Sequence, residues 1–239
     1  MNAQLEHIDG RLRTWSLAHE AAEHAWPVLI PRVTLRRAGY YESFPQLLMT
    51  AAANAQPEAA EEQLEATPYD LSPAVCYHAY AALENQTLTE AGGRVLAARG
   101  HCFRNEIPGE LKPGRRQVEF QMRELIFIGG QEWIEESLFS MQQDIAQMAG
   151  EFAIRGDWAE ASDPFFLPKA EALGKARMQK LLKTKMEYCL PDGLAIASIN
   201  RHGGFFGQRF QIRLAGGQAA HSACVAFGLE RWASSLPKA

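Results

Sequence analysis

The chain has 239 residues, 47% of them hydrophobic, and a formal net charge of −4 at pH 7. That length and composition can bury one large core, so we expect a single domain over residues 1–239. The acidic balance lacks the strongly basic footprint typical of nucleic-acid-binding proteins. No apolar run reaches the roughly 18 residues of a membrane span, and the N-terminus lacks the apolar core of a secretory signal, which predicts a cytoplasmic protein.

The N-terminal segment, residues 3–38, has a mostly helical pattern that is interrupted near Pro27 and Pro31, because proline lacks the N–H of a helical hydrogen bond. The sequence AGYYESFP at 38–45 then predicts a turn into a strand through 47–49. By its residues alone, this segment is compatible with an ordinary corner between a helix and a strand.

An acidic stretch at 54–68 predicts a solvated helix or loop, and we assign it no function. Ser72 followed by Pro73 predicts the start of a helix. Cys76 would lie in the first turn of this helix, where the helix dipole favours a thiolate. A lone cysteine is more often a small buried hydrophobic residue, so its position leaves both interpretations open.

The most informative stretch is 99–124, which predicts two short strands joined by a loop of proline, glycine and basic residues. Side chains two apart on a strand share a face, so Arg104 and Glu106 are expected to point the same way from the first strand. The second strand places six side chains on one face, five of them apolar. The exception is Glu124, which needs a cationic or metal partner because an unpaired buried charge is costly. That face comprises Val118, Phe120, Met122, Glu124, Ile126 and Ile128.

This hairpin offers the groups that a nucleoside triphosphate requires. Arginine binds phosphate oxygens with bidentate geometry, Glu106 can accept a hydrogen bond from an exocyclic amine, and Phe120 can stack on a base. An exposed hairpin with solvated charges would have the same spacing. The residues alone therefore leave an ATP site and an ordinary surface hairpin as alternatives.

Beyond the hairpin, residues 131–155 predict one amphipathic helix, because apolar side chains recur at steps of three to five. Residues 169–185 carry six basic side chains against one acid, Glu171. This pattern is typical of a solvated helix face, and the alternative is a docking surface for an anionic partner.

The C-terminal part predicts strands at 185–188, 194–200 and 205–214. A last strand at 219–227 runs into a helix that has Arg231 in its first turn. The sequence therefore predicts a second group of strands after the hairpin.

Four cysteines, none in a CxxC pair, favour free thiols or metal ligands over disulfides in a cytoplasmic protein. Cys76, Glu124 and Cys224 fall on three separate predicted elements. Two thiolates and a carboxylate are normal zinc ligands, and three protein ligands leave one position for substrate. Their spacing does not establish a site, so the residues alone leave zinc as one hypothesis.

Three ordered motifs resemble those of class II aminoacyl-tRNA synthetases. FRNE at 103–106, the basic loop and the residues of 116–124 resemble motif 2 in its seryl variant. FGLER at 227–231 resembles motif 3, and 38–45 resembles motif 1, which builds the dimer interface of these enzymes. The resemblance spans roughly residues 38–232. It implies an α+β fold, with an antiparallel sheet flanked by helices, and a homodimer.

A closer resemblance is to the amino acid:[carrier protein] ligases, which are similar to the catalytic domain of the zinc-dependent, methanogen-type seryl-tRNA synthetases. It is carried by PAVCY at 73–77, REL at 123–125 and HSACVAFGLER at 221–231. In both groups a Cys, Glu, Cys set holds zinc, and the metal captures the amino group of the amino acid. The zinc ligands that the resemblance implies are Cys76, Glu124 and Cys224.

Two other residues compete as ligands, and one position departs from the pattern. Cys102 shares a predicted strand face with Arg104 and is interpreted as core, while His221 points to the opposite strand face from Cys224. The seryl enzymes have a metal-binding glutamate at about the position of Ala195. The magnesium ligands are therefore left open.

The resemblance implies that ATP and a small amino acid, glycine or alanine, give an aminoacyl-adenylate and pyrophosphate. The aminoacyl group then passes to the phosphopantetheine thiol of an acidic carrier protein, and Mg2+ accompanies ATP. Arg104 would neutralise charge at the α-phosphate, and Arg231 would hold the distal phosphates. The other implied contacts are Glu106 and Phe120 with adenine, Arg116 with outer phosphates, Lys185, Ser198 and Asn200 with ATP or magnesium, and Glu124 with the amino acid through zinc.

The start of the chain is short and lacks heptads, so we expect no tRNA-binding arm and no tRNA substrate. One alternative is a synthetase-like enzyme with tRNA or a small amine as acceptor. Another is a non-catalytic paralogue that acts as a binding or regulatory subunit. The presence of Arg104, Glu106, Phe120 and Arg231 favours a catalyst over such a paralogue.

Overall fold

The computed structural model describes residues 2–54, 63–89, 92–161, 163 and 169–237. The helices are α1 (Asn2–Ala18), α2 (Arg32–Arg37), α3 (Tyr40–Ser43), α4 (Cys76–Ala82), α5 (Gln131–Leu138), α6 (Met141–Glu151), α7 (Lys169–Leu181), α8 (Phe205–Arg209) and α9 (Leu229–Ser234). The strands are β1 (Ala22–His24), β2 (Leu29–Pro31), β3 (Thr50–Asn54), β4 (Leu64–Leu71), β5 (Thr87–Leu88), β6 (Gly93–Phe103), β7 (Glu119–Gly129), β8 (Asp157–Glu160), β9 (Lys185–Cys189), β10 (Ala195–Gly203), β11 (Arg213–Leu214) and β12 (His221–Gly228).

The central sheet has seven strands in the order β1-β6-β7-β12-β10-β9-β8. Its pairings are antiparallel, except that the edge strand β1 runs parallel to β6. Strands β2, β4 and β3 form a separate sheet, and β11 pairs with β5. Helices flank the central sheet, so the expected α+β architecture is confirmed. Among the described helices, none combines the length and hydrophobicity that crossing a bilayer requires.

Two apolar layers cover the two faces of the central sheet, because successive side chains of a strand point to opposite faces. On one face, Leu125 joins the buried side chains of α1, α5, α6 and α9. On the other face, Ile126 packs with residues of α4 and α8. Glu124 and Cys224 belong to this second face, on which the short helices α4 and α8 pack.

Near the N-terminus, the structure replaces part of the predicted helix by strands β1 and β2. The strand predicted at 47–49 is wrong. Pro45–Leu47 form a short 3-10 turn, and β3 begins at Thr50. Proline at the first position of such a turn is favourable, since its fixed φ already suits it. Residues 55–62 of the acidic stretch lie outside the described residues, and the end of that stretch is part of β4.

The predicted hairpin forms from β6 and β7, with Phe103 paired to Glu119. Arg104 and Glu106 come after the end of β6, so the prediction that they share a face of that strand is wrong. The backbone N–H of Glu106 instead donates to the carbonyl of Arg104 at 2.8 Å. This local turn leaves both side chains in the connection between the strands.

The single helix predicted at 131–155 is wrong, because the chain breaks at Phe139 and Ser140 into α5 and α6. Phe139 is 91% exposed, whereas Leu138 and Met141 on either side of the break are buried in the same core. The apolar pattern therefore identifies the buried residues correctly but misses the turn between them.

The strand predicted at 205–214 is also wrong, since its first half is α8. Phe206 stacks on Tyr80 with ring centroids 4.1 Å apart, and Phe210 lies near the same ring. Helical spacing brings side chains four apart onto one face, which allows both phenylalanines to reach Tyr80. Tertiary packing thus overrides the strand-like composition.

A buried ionic network anchors α1 and β1 to the central sheet. Arg123 of β7 is 2% exposed. Its Nε and Nη2 donate to the carboxylate of Asp9 at 2.6 and 3.1 Å, and its Nη1 donates to Glu23 at 2.9 and 3.0 Å. Arg99 also approaches Asp9, with Nη1 at 3.4 Å from Oδ2. Desolvated charges of this kind are tolerated only when they remain paired.

We predict that Arg123→Ala lowers the free energy of unfolding by about 3–5 kcal/mol, because the buried Asp9 carboxylate loses its main partner. Arg11→Ala is the matched control, since the Arg11–Glu151 pair is exposed and such pairs contribute less than about 1 kcal/mol. Urea denaturation of both variants measures the difference. Equal losses in the two variants would contradict the assignment.

Candidate active site

A cavity of about 550 Å³ opens on the sheet face that carries Glu124 and Cys224. It brings together every site residue expected from the sequence, although these residues come from distant parts of the chain. The cavity-lining residues that match those expectations are Cys76, Arg104, Glu106, Arg116, Phe120, Glu124, Lys185, Ser198, Asn200, Cys224 and Arg231.

Three of these residues form a compact donor cluster at the sheet. The Sγ atoms of Cys76 and Cys224 and a carboxylate oxygen of Glu124 all lie within 4.8 Å of one another. Strands β7 and β12 are adjacent, with Glu124 opposite Ala226 and Ile126 opposite Cys224. Glu124 and Cys224 are therefore diagonal neighbours on one face, and Cys76 approaches them from the first residue of α4.

The cluster is buried and incompletely compensated. Oε1 of Glu124 accepts a hydrogen bond from the Val75 N–H at 3.0 Å. Oε2 is buried and has no hydrogen-bond partner among the described residues. Burial raises the pKa of Glu124 to about 8. An acceptor left unpaired in such surroundings costs free energy, which a bound cation would offset.

The two sulfurs lie close together, and this interaction lowers the pKa of Cys224 and raises the pKa of Cys76. Two sulfurs, one carboxylate oxygen and an unpaired acceptor fit the ligand chemistry of zinc. The described residues bring no fourth His, Cys, Asp or Glu ligand into the same 4.8 Å cluster, so a coordination position would remain for substrate.

Two polar side chains lie next to the Cys224 sulfur. Asn200 was expected to contact ATP or magnesium, and His202 was given no role. Nδ2 of Asn200 donates to Ser198 Oγ at 3.1 Å and lies 3.5 Å from Cys224 Sγ. Asn200 therefore lies next to the sulfur, and the contact with ATP stays a prediction. His202, with Nε2 at 3.9 Å from the same sulfur, is absent from the predicted site. A histidine followed by two glycines at a strand end is the only sign of it in the sequence.

Arginine side chains line another part of the cavity wall. The Arg231 guanidinium donates from Nε to the Arg115 carbonyl and from Nη1 to the Ala195 carbonyl, both at 2.8 Å. Burial, together with the neighbouring Arg104 and Arg116 cations, lowers the pKa of Arg231. Two backbone carbonyls fix this guanidinium in place, and the neighbouring cations make its surroundings favourable for an anion.

Arg104 and Phe120 form an adjoining aromatic and cationic surface. Nε of Arg104 donates to the Pro73 carbonyl at 3.2 Å, and its Cζ lies 5.0 Å from the centroid of the Phe120 ring. Arg116 contacts the carboxylates of Glu110 and Glu106. The flat Phe120 ring and these planar guanidiniums are suited to stacking and to bidentate contacts.

Lys185 is already paired within the cavity wall. Its Nζ lies 2.6 Å from Asp163 Oδ1 and 3.2 Å from Glu187 Oε1. Burial alone would lower the pKa of Lys185, but the two carboxylates outweigh it and raise the pKa. Asp163 and Glu187 were not among the expected site residues, and the ATP contact of Lys185 stays a prediction.

The structure also places the two competing ligands outside the cluster. Cys102 is fully buried and packs with Val75 and Ala98, so its interpretation as core is confirmed. His221 is not part of the metal-binding group. Ala195 contributes its backbone carbonyl to Arg231 rather than a carboxylate.

No model of a known protein family matches the chain. The amino acid–[acyl-carrier-protein] ligase 1 of Bradyrhizobium diazoefficiens is 32% identical over 259 residues, which cover 98% of this chain and 77% of that protein. The type-2 serine–tRNA ligase of Methanothermobacter thermautotrophicus is 26% identical, and the match covers 88% of this chain and 46% of that protein.

Among solved structures, the seryl-tRNA synthetase of M. kandleri, in complex with A. aeolicus tRNASec, superposes with a TM-score of 0.79 at 20% identity. That match covers 98% of this chain and 51% of the solved one, so the chain spans about half the length of this synthetase. The superposition shows that the fold is that of a class II synthetase catalytic domain. Sequence identity to the ligase relative covers most of both proteins, and the chain therefore belongs to the family of the amino acid–[acyl-carrier-protein] ligases.

Proposed function

We propose that this ligase activates glycine or alanine with ATP and transfers the aminoacyl group to the phosphopantetheine thiol of a carrier protein. One observation carries the proposal: the Cys76, Glu124 and Cys224 cluster opens into the same cavity as Arg104 and Arg231. Such a cavity can hold both ends of an amino acid beside a nucleotide. The relative in Bradyrhizobium diazoefficiens is named for ligation of an amino acid to an acyl-carrier protein.

In the first step, a carboxylate oxygen of the amino acid attacks the α-phosphorus of ATP, and pyrophosphate leaves with the electrons of the broken P–O bond. Arg104 is proposed to neutralise negative charge at the α-phosphate. Arg231 and Arg116 are proposed to bind the outer phosphates, with Mg2+ accompanying ATP. Catalysis then depends on positioning and on electrostatic stabilisation, as is usual for transfer at phosphorus.

The adenine is proposed to stack on Phe120 while its exocyclic amine donates to Glu106. The contact between Arg104 and the Phe120 ring places a cation beside the proposed base position, where the α-phosphate of the same nucleotide can be reached. Ser198 and Asn200 of β10 pair with Glu187 and Lys185 of the adjacent strand β9, and all four residues line the cavity. We propose that this wall faces the phosphates.

Cys76, Glu124 and Cys224 are proposed to hold zinc, which supplies a Lewis acid for the amine of the amino acid. The buried Oε2 of Glu124 has no other partner among the described residues, which supports this assignment. A neutral side chain in place of Glu124 would not require a bound cation.

In the second step, the phosphopantetheine thiol of an acidic carrier protein is proposed to attack the carbonyl carbon of the aminoacyl-adenylate. The thiol loses its proton, the thioester forms, and AMP leaves with the electrons of the broken acyl–phosphate bond. On and just after α7, the exposed side chains include Lys175, Arg177 and Lys183 together with Leu173 and Leu182. The side chains of Lys169 and Lys180 lie outside the described part of the chain. A mixed basic and apolar surface suits an acidic protein partner. A labelling experiment distinguishes the carrier protein from the alternative acceptors, which are tRNA and a small amine.

A homodimer is proposed through the motif 1-like segment and its neighbouring sheet. In this region α2, β2 and β4 expose apolar side chains, among them Leu29, Val33, Leu64 and Tyr69. A group of exposed apolar side chains on neighbouring elements is compatible with an interaction surface. The proposal places this surface against a second copy of the chain.

We expect purified protein to contain zinc in about a 1:1 ratio and to catalyse amino-acid-dependent ATP–pyrophosphate exchange. Exchange measured with each of the twenty amino acids is expected to be strongest with glycine or alanine. Cys224→Ala should lose both zinc and exchange, because two ligands cannot hold the metal. Cys189→Ala, a thiol outside the cluster, should keep both. Full exchange in Cys224→Ala would show that the zinc assignment is wrong.

With labelled glycine or alanine and ATP, label is expected on a holo-carrier protein and not on the same carrier without phosphopantetheine. The reason is that the thiol is the proposed acceptor, and the label should be released by hydroxylamine as expected of a thioester. The same incubation with tRNA provides the comparison. Label that appears on tRNA alone would rule out the proposed acceptor.

In solution, light scattering coupled to gel filtration is expected to give twice the chain mass of 26.6 kDa. Val33→Glu should shift the protein towards the monomer, since Val33 is 61% exposed on α2 and a charge there opposes burial. Leu17→Glu, at a 54% exposed leucine of α1, should leave the dimer intact. A monomeric wild-type protein would exclude the proposed assembly.

A further inference from the structure

His202 reaches the Cys224 sulfur because of a local irregularity in the sheet. Strand β10 pairs regularly with β12 at Asn200, opposite Cys224, and at Arg201. The register then shifts, so that Gly203 instead of His202 faces Ser222. His202 is thus the extra residue of a β-bulge, a feature that re-aims a side chain. Its Nε2 lies 3.9 Å from Cys224 Sγ.

The other ring nitrogen of His202 faces two hydroxyl groups. Nδ1 lies 3.2 Å from Tyr80 Oη and 3.3 Å from Ser222 Oγ. Tyr80 is fully buried, and its hydroxyl can donate a hydrogen bond to Nδ1. When Nδ1 accepts a hydrogen bond, the proton of a neutral imidazole lies on Nε2, the nitrogen that faces the sulfur.

Packing also restrains the position of the His202 ring. His202 lies edge-on to Phe206, with ring centroids 4.9 Å apart and an interplanar angle of 76°. A thiolate that binds a metal keeps negative charge, and donors beside it orient it and adjust its strength as a ligand. Asn200 Nδ2, at 3.5 Å, is a second such donor to the same sulfur.

We propose that His202 is a positioning residue of the metal centre, whose Nε2–H donates to the Cys224 thiolate while Tyr80 and Ser222 hold the ring. This inference rests on the zinc site of the proposed function. His202 is not itself a ligand in this arrangement, because the three donor atoms that gather within 4.8 Å do not include it.

The test compares zinc affinity in a set of matched variants. His202→Phe keeps a ring against Phe206 but removes both nitrogens, whereas His202→Gln retains an N–H donor at a similar reach. Tyr80→Phe removes only the hydroxyl that faces Nδ1. His221→Gln is the control, since His221 is on the same strand as Cys224 but outside the metal-binding group. Zinc dissociation constants are measured by chelator competition, and the sulfur-to-metal absorption of the cobalt(II)-substituted protein is recorded.

We expect His202→Phe to weaken zinc binding about 10- to 100-fold and to shift the cobalt absorption. His202→Gln should recover most of the affinity, Tyr80→Phe should show a smaller loss, and His221→Gln should match the wild type. Equal zinc affinity and equal spectra in wild type and His202→Phe would overturn the inference and leave the zinc site intact.

Two other results would also overturn the inference. Wild-type protein that binds no zinc would remove both the metal site and the role of His202. Equal losses in His202→Phe and His202→Gln, with both metal-free proteins melting at lower temperature than the wild type, would show that His202 acts only through packing.

Discussion

The free energy of burying a carboxylate dominates this site. Glu124 is 1% exposed in the middle of β7, with one oxygen bonded to the Val75 N–H and the other unpaired among the described residues. An isolated charge in such surroundings is too costly to persist without a partner. Around it, α4 begins at Cys76 and β12 presents Cys224. The three donor atoms lie close enough to hold one cation, which would offset the cost of burying Glu124.

Opposite charges on the walls of one cavity match the two ends of an amino acid. In the proposed function, the sulfur and carboxylate donors face the amine through a metal, while Arg104 and Arg231 bind a carboxylate and phosphates. Because backbone carbonyls of Pro73, Arg115 and Ala195 hold these guanidiniums, the cationic side is fixed before any ligand binds. Preorganisation of this kind reduces the ordering cost of binding and of the reaction.

Much of the site could be predicted from the sequence because it depends on strand alternation and on motif order. The apolar face of β7 with one carboxylate identified Glu124, and the FGLER ending placed Arg231 in the first turn of α9. His202 could not be found in the same way, since its position depends on a bulge that alternation does not reveal.

The errors in the predicted secondary structure have a common physical origin. The composition around Phe205 predicted a strand, but the segment forms a helix in which Phe206 stacks on the distant Tyr80. Leu138 and Met141 lie in one core on either side of the break between α5 and α6. A single continuous helix would bury the same two residues, so the apolar pattern does not reveal the break. Local sequence therefore predicted which side chains are buried better than it predicted the path of the backbone.

Neighbouring residues Arg123 and Glu124 point to opposite faces of β7, one into the ionic network with Asp9 and the other into the sulfur cluster. A slip of one residue in the pairing of β7 would exchange the two faces. The guanidinium would then meet the thiols, and the carboxylate would meet Asp9, so both sites would fail together. The correct register of β7 is therefore required both for the donor cluster and for the ionic network that attaches the N-terminal helix α1 to the sheet.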